Sequence, residues 1–338
     1  MNLHIKNDSG FLALGVRMVI GWTYFSAFFR RTILANKLDP ELPGYIGEKF
    51  NHFLPNALGI KPMIQYLVEN PDILYYNMVA FTIIEGLVGL FIIFGLFTRL
   101  MSIGVFGLAM GILLGSGWIG TTCLDEWQIG VLGIATGFLL FLTGSGRLSL
   151  DNYLLTKNVA FTKKKWFAWL GSGLLPIRDR AFSKVVIIGS FLIFGLTLYT
   201  NQVFHGGLWG TLHNKSVKPK LEITEGKLNK NELSFDVSRV EGVDVYGAWI
   251  IRIELKDEQN NVVVNYTQQK LATLPKQAID NYYIAKIKSG KHSLIVPLGA
   301  KAKLKLNTST IQNLPRGTYT LKMTDISGVS WEHQITKN

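Results

Sequence analysis

The feature that most constrains this chain is a series of apolar runs, each about as long as a membrane-spanning helix. The runs occupy residues 11–29, 77–97, 100–120, 127–143 and 184–204. A helix needs about 20 mostly apolar residues to cross the hydrocarbon core, where only internal hydrogen bonds can satisfy its backbone. The sequence therefore predicts an α-helical membrane bundle. The first run has no small-x-small cleavage site before Arg30, so we expect it to be retained as a span.

After residue 204 the pattern changes to short stretches in which apolar and polar residues alternate. Stretches such as ELSFDVS, AWIIRIELK and GTYTLKMTD are separated by Gly, Asn, Asp or Pro. Roughly seven to nine short strands of this kind in about 125 residues are typical of an immunoglobulin-like sandwich. We therefore expect an all-β immunoglobulin-like domain to follow the helices, and the favoured role for that domain is binding or docking.

These patterns divide the chain into four predicted regions. They are a four-span membrane domain (1–160), a basic linker (161–183), a fifth transmembrane helix (184–204) and a β-sandwich (213–338). Within the first region, residues 32–76 form a long excursion that five prolines divide into short segments. We expect short interfacial helices there that cap the bundle.

Orientation follows from the basic residues between the fourth and fifth runs, because positively charged loops stay in the cytoplasm. The basic residues there are Arg147, Lys157, Lys163, Lys164, Lys165, Arg178, Arg180 and Lys184. We therefore predict a multi-pass protein of the cell (inner) membrane with a cytoplasmic N-terminus and an extracytoplasmic β domain. The lipid bilayer explains much of the net charge of +12, so we expect no nucleic-acid partner.

Several common chemistries lack support in the sequence. A single cysteine, Cys123, excludes an intrachain disulfide and a cysteine-based zinc site. The six histidines include no HxxxH pair, and no P-loop, GxGxxG after a strand or GxSxG occurs. We therefore expect no metal site.

Longer motifs resemble a known family. The runs GVRMVIGWTYFSAFFRR and IIEGLVGLFIIFGLFTR, and the connection GSGWIGTTCLDEWQIG, resemble the DoxD subunit of thiosulfate:quinone oxidoreductases, within the broader DoxX-like membrane family. The tail, through GGLWGTLHNKSVKP to LPRGTYTLKMTD, resembles the DoxA subunit. Together the two resemblances identify the chain as a natural DoxD–DoxA fusion, although the family's known arrangement uses two separate chains.

The resemblance implies a membrane oxidoreductase that oxidises two thiosulfates to tetrathionate and passes the electrons to membrane quinone. Quinone would then be the electron-accepting substrate, and no metal, haem or flavin is expected. Two other functions stay open. One is a non-catalytic membrane anchor or assembly protein that presents the β-sandwich, and the other is a sulfur-oxyanion permease. Homo-oligomerisation also stays open.

Thiosulfate is a dianion, so its site requires cations. Arg30 and Arg31 lie at the predicted outer end of the first run, where they either contact lipid phosphates or form an anion site. His52 and His205 are further candidates for substrate binding. Cys123 is either a nucleophile that carries a covalent sulfur intermediate or an inert buried thiol.

Other candidates concern protons and the quinone. Asp125 and Glu126 open the fourth span, where they either suit the helix dipole, pair with the arginines or handle protons. Arg17 and Glu85 lie within spans, and a direct pair between them needs the reach of the long arginine. Glu85 is a candidate for a quinone-site or proton-path residue, or a structural clamp. The remaining candidates for the quinone site are the aromatic residues Trp22, Tyr24 and Trp127.

Overall fold

The computed structural model describes residues 9–42, 44–120, 125–209, 212–229, 231–244 and 247–337. These residues form two compact units. The helical unit contains the described residues of 9–46, 72–118 and 125–213. The β unit contains those of 47–71, 119–120 and 214–337.

The long helices follow the apolar runs, and short helices lie between and after them. In chain order they are α1 (Leu14–Phe29), α2 (Glu48–Phe53), α3 (Lys61–Glu69), α4 (Pro71–Phe94), α5 (Thr98–Ser116), α6 (Asp125–Thr143), α7 (Leu150–Thr156), α8 (Lys165–Leu170), α9 (Asp179–His205) and α10 (Gln268–Ala272). Among the described residues, four helices are long and apolar enough to cross a membrane: α4, α5, α6 and α9.

The sequence predicted five spans, and the first of them differs from the other four. Its helix, α1, has 16 residues and continues directly into a π-helical turn at Arg30–Leu34. The start of α4 also differs, at Pro71 instead of 77. Proline suits the first turn of a helix because its φ is already helical and no backbone N–H is needed there.

The excursion between α1 and α4 contains the expected short helices, α2 and α3, but they belong to the β unit. Leu54, which follows α2, and Ile64 and Val68 of α3 are buried in one cluster, against which Tyr283 of the β domain packs. The prediction of short helices is confirmed, and their capping of the bundle stays a prediction. Their apolar face is already buried within the β unit.

The β domain consists of two antiparallel sheets, which confirms the predicted all-β sandwich. One sheet has the order β1-β2-β8-β5, and the other has the order β10-β9-β3-β7-β6 with β4 also paired to β3. The strands are β1 (Lys220–Asn229), β2 (Glu232–Glu241), β3 (Ala248–Lys256), β4 (Val262–Tyr266), β5 (Ile279–Asn281), β6 (Lys288–Ser289), β7 (Leu294–Val296), β8 (Lys301–Asn307), β9 (Gly317–Asp325) and β10 (Ser330–Lys337). Alternate residues point inward, and Phe235 of β2, Ile250 of β3 and Leu304 of β8 lie in a common core.

Candidate functional site

Glycines allow helices α1 and α4 to pack closely. A Cβ built on Gly89 would lie 2.4 Å from the backbone nitrogen of Phe25, and one on Gly86 would lie 2.7 Å from the ring of Phe28. Small residues of this kind let membrane helices approach one another. The order of these contacts shows that the two helices run antiparallel. The residues one turn beyond Phe28 therefore lie beside the part of α4 that precedes Gly86.

At that level Arg31 pairs with Glu85. Arg31 Nη1 donates a hydrogen bond to Glu85 Oε2, and the two side chains are only 18% and 5% exposed. The Arg31 guanidinium also lies 5.9 Å from the centroid of the Phe81 ring. The π-helical turn begins here, with Ala35 N donating to Arg30 O, and such turns are frequent at functional sites.

Two more polar side chains lie close to this pair. Thr82 precedes Glu85 by one helical turn and is fully buried, and its hydroxyl has no hydrogen-bond partner in the part of the chain that the structure describes. Tyr24 is 3% exposed and interacts electrostatically with Glu85. We call Tyr24, Arg31, Thr82 and Glu85 the α1–α4 polar cluster.

In the structure Glu85 pairs with Arg31 and not with Arg17, and Thr82 joins the candidate site residues. Arg17 does not pair with Glu85, because its Nη1 and Nη2 donate to Ser145 O at 2.6 Å and Leu148 O at 2.7 Å. Sequence reasoning missed Thr82, although its position three residues before Glu85 places both on one helix face.

The α1–α4 polar cluster can transfer protons and donate hydrogen bonds within an apolar bundle. Glu85 can accept or donate a proton, Arg31 can stabilise its carboxylate, and the Thr82 hydroxyl can donate to a ligand oxygen. Ionisable residues within membrane helices are costly to bury and commonly mark functional sites. No three His, Cys, Asp or Glu side chains of the described ranges lie close enough together to hold a metal ion.

A second buried charge, Arg99, has a different environment. Its Nε donates to Phe141 O at 2.9 Å, its Nη1 to Ala168 O at 2.7 Å and its Nη2 to Gly173 O at 2.5 Å. The guanidinium thus joins the start of α5, the end of α6 and the segment around α8. This is a structural contact.

Asp151 completes the same structural element. Its carboxylate accepts hydrogen bonds from the backbone nitrogens of Phe97 and Thr98, at 2.8 and 3.0 Å. It also accepts from the hydroxyls of Thr98 and Ser172, at 2.9 and 2.8 Å. We call Arg99, Asp151 and these partners the clasp.

Two predicted site residues, Trp127 and His205, meet where α6 contacts α9. Trp127 Nε1 donates to Thr200 Oγ1 at 3.0 Å, and the Trp127 and His205 rings are 6.4 Å apart in an edge-on arrangement. His205 is buried, with Nε2 3.1 Å from Gly117 O. Since a carbonyl oxygen only accepts, Nε2 carries the proton. The lone pair of Nδ1 has no partner among the described residues.

The structure places other candidates apart from the cluster. Trp22 is 59% exposed, although Tyr24 two residues later is buried, so the two rings lie on different faces of α1. Arg30 is exposed, and its Nε donates to Ser26 O. Asp125 and Glu126 lie in the first turn of α6. Cys123 lies outside the described residues.

His52 belongs to the β unit, whereas Arg30 and Arg31 belong to the helical unit. Its Nδ1 lies 3.9 Å from Asp244 Oδ2. Burial, helped by the charge of Lys49, lowers the pKa of His52 to about 4. His52 is therefore neutral near pH 7 and could enter an anion site only as a neutral hydrogen-bonding group.

The helical bundle, the sandwich and the buried ionisable cluster together define a membrane protein with a polar site inside its bundle. The chain matches the family described as TQO small subunit DoxD over residues 12–178 and that described as TQO small subunit DoxA over residues 204–334. The chain thus belongs to the DoxD and DoxA families and is a DoxD–DoxA fusion, which confirms the resemblance seen in its sequence.

Proposed function

We propose that this chain oxidises thiosulfate to tetrathionate and passes the electrons to a membrane quinone. Both family descriptions refer to subunits of such an oxidoreductase, and this supports the proposal. Two thiosulfate dianions each lose one electron and join through a new S–S bond. The quinone takes up the two electrons together with two protons and becomes quinol.

The observation that carries this proposal is the α1–α4 polar cluster. A quinone needs an apolar surface for its ring, hydrogen-bond donors for its two carbonyl oxygens and a source of protons. In the proposed site the Thr82 hydroxyl donates to one carbonyl oxygen, and Glu85 delivers a proton. Arg31 stabilises Glu85 after the proton has left, because an unpaired carboxylate is costly inside a membrane.

Thiosulfate would meet a different group. Two dianions 4 Å apart repel each other by about 4 kcal/mol even in bulk water, so their approach requires a cation. Arg30 is exposed, and its charge interacts with Glu85. In this proposal Arg30 attracts the anion from water, and its occupancy is coupled to the charge state of Glu85.

Cys123 is proposed as the carrier of a covalent intermediate. Its thiolate and the outer sulfur of one thiosulfate form an S–S bond, and two electrons leave to the quinone. The outer sulfur of a second thiosulfate then attacks the sulfur bonded to the cysteine. Tetrathionate forms and the thiolate is released, so that atoms and charges balance.

The test is a reaction of the purified full chain, in lipid nanodiscs, with thiosulfate and a decyl-quinone. We expect one tetrathionate for each quinol formed. Thr82→Val removes one hydroxyl at nearly constant volume, and we expect it to raise the quinone KM. Folded protein that forms neither product would support the non-catalytic anchor function, and quinol without tetrathionate would show that thiosulfate is oxidised to a different sulfur product.

A further inference from the structure

Residues 47–71 match one family but belong to the compact unit formed by the other. They lie within the DoxD match, yet they form one compact unit with the residues of the DoxA match. This segment contains α2 and α3, and we call it the docking hairpin. It contacts the β domain through hydrogen bonds and a charge pair as well as through an apolar cluster.

Asn51 is the centre of these contacts. It is completely buried, its Nδ2 donates to Gly299 O at 3.3 Å, and its Oδ1 accepts from Ala285 N at 3.1 Å. One amide thus satisfies a donor and an acceptor of the β-domain backbone. Gly299 has a φ of +72°, and a Cβ there would lie 1.6 Å from Asn51 O. Glycine is therefore needed at this position for the hairpin to fit.

Two further side chains extend the contact. Asn56 Nδ2 donates to Val240 O at 2.9 Å, and Lys215 Nζ donates to Asn56 Oδ1 at 3.3 Å. Lys49 Nζ lies 2.6 Å from Asp244 Oδ2. Directional hydrogen bonds, a charge pair and a small apolar cluster are the usual components of a protein–protein interface.

We infer that the docking hairpin is the binding site through which a DoxD-type membrane region holds a DoxA-type β domain. The same contacts would then suffice to bind a β domain supplied as a separate chain. The two family descriptions each refer to a subunit, which fits a contact that works without a covalent link. This inference concerns assembly and does not depend on the proposed oxidoreductase activity.

The test uses the full chain with a specific protease site inserted between residues 209 and 212. After cleavage in isolated membranes, the β domain should stay in the membrane pellet through repeated washes in buffer of moderate salt. The inference would be overturned if the wild-type β domain were released as completely as the β domain of variants in which the hairpin contacts are removed.

Asn51→Leu removes both amide hydrogen bonds, and we expect its cleaved β domain to dissociate about tenfold faster or more. Gln65→Leu is the matched control, because the Gln65 amide is exposed and bonds to Glu69 of the hairpin itself. Equal retention of both variants would also overturn the inference.

Exchanging the charges of Lys49 and Asp244 tests whether release of the β domain is caused by loss of this contact or by misfolding. Lys49→Glu should place two carboxylates together and speed dissociation, and Lys49→Glu combined with Asp244→Lys should restore retention. A double variant that is released as fast as the single one would count against docking through this pair.

Discussion

Two of the sites with buried charge in the helical unit are satisfied in different ways. In the clasp, the Asp151 carboxylate accepts hydrogen bonds from backbone nitrogens and hydroxyl groups, and the Arg99 guanidinium donates hydrogen bonds to backbone carbonyl groups. In the α1–α4 polar cluster, Arg31 and Glu85 mainly engage each other, and the Thr82 hydroxyl beside them has no partner among the described residues.

The difference separates structural from functional use of a buried charge. A charge saturated by fixed backbone groups holds segments together and leaves no group for a ligand. A carboxylate held by one arginine can exchange its proton, and an unpaired hydroxyl can bond to an incoming oxygen. We therefore expect changes in the cluster to affect turnover and changes in the clasp to affect stability.

The largest effect is expected at Cys123, which lies in the connection between α5 and α6. Cys123→Ser should abolish tetrathionate formation, because serine cannot form the S–S bond of the proposed intermediate. Mass spectrometry of the intact protein, after incubation with thiosulfate and quinone, should show a thiosulfate-sized adduct on the wild type only. Near-normal turnover of the serine variant would show that the electrons leave thiosulfate without a covalent step.

Glu85→Gln should have the next largest effect. It keeps the size of the side chain and an acceptor for Arg31 but removes the exchangeable proton. Loss of a general acid or base lowers turnover by about 10²–10⁴-fold. Quinone reduction and the melting temperature should be measured on the same sample in nanodiscs. A fall in melting temperature with turnover per folded molecule preserved would assign Glu85 a structural role like that of the clasp.

Asp151→Asn tests the expectation that changes in the clasp affect stability and not turnover. The asparagine loses a charged acceptor of four hydrogen bonds, and we expect the free energy of unfolding to fall by about 2–4 kcal/mol. Turnover per folded molecule should stay within about twofold, since no reacting group is touched. Asp72→Asn is the control, because Asp72 is exposed in the first turn of α4. A selective loss of turnover in Asp151→Asn would break the distinction.

Much of the fold could be predicted from composition and periodicity. Apolar length marks α4, α5, α6 and α9, and alternation of the kind seen in β8 marks the strands. The docking hairpin could not be assigned to its unit in this way. Its apolar face has the same pattern whether it is buried by lipid, by the bundle or by Tyr283 of the β domain.

The candidate site was predicted only in part. The sequence singled out Arg31 and Glu85 separately, because charge in or beside an apolar run is conspicuous. Their pairing depends on the close approach of α1 to α4 at Gly86 and Gly89, which no local pattern reveals. The importance of Thr82 depends on a missing partner, and only three-dimensional contacts show that.

The β unit offers a buried group whose charge state can be varied with pH. Unfolded histidine titrates near pH 6.5, whereas the pKa of folded His52 is about 4. Between these values the unfolded state binds the extra proton, so this contribution to stability is complete above pH 6.5 and is lost as the pH falls towards 4.

From pH 7 to 5 the loss at His52 should be about 1–2 kcal/mol. The β-unit unfolding transition should therefore move with pH, and His52→Gln should flatten the dependence. Parallel curves for wild type and variant would show that burial does not keep His52 neutral.

The smallest effect is expected for Arg30, which borders the cluster but is exposed. Arg30→Ala should raise the thiosulfate KM about three- to tenfold, because an exposed charge contact is worth about 1 kcal/mol and is weakened by salt. The dependence of KM on ionic strength should become shallower in the variant, and the kcat should change little if Glu85 still delivers its proton. Arg30→Lys keeps the charge but loses the planar guanidinium, so its thiosulfate KM should lie between those of the wild type and Arg30→Ala. A KM unchanged in both variants would return Arg30 to contact with lipid phosphates, and the anion site would then have to lie elsewhere on the chain.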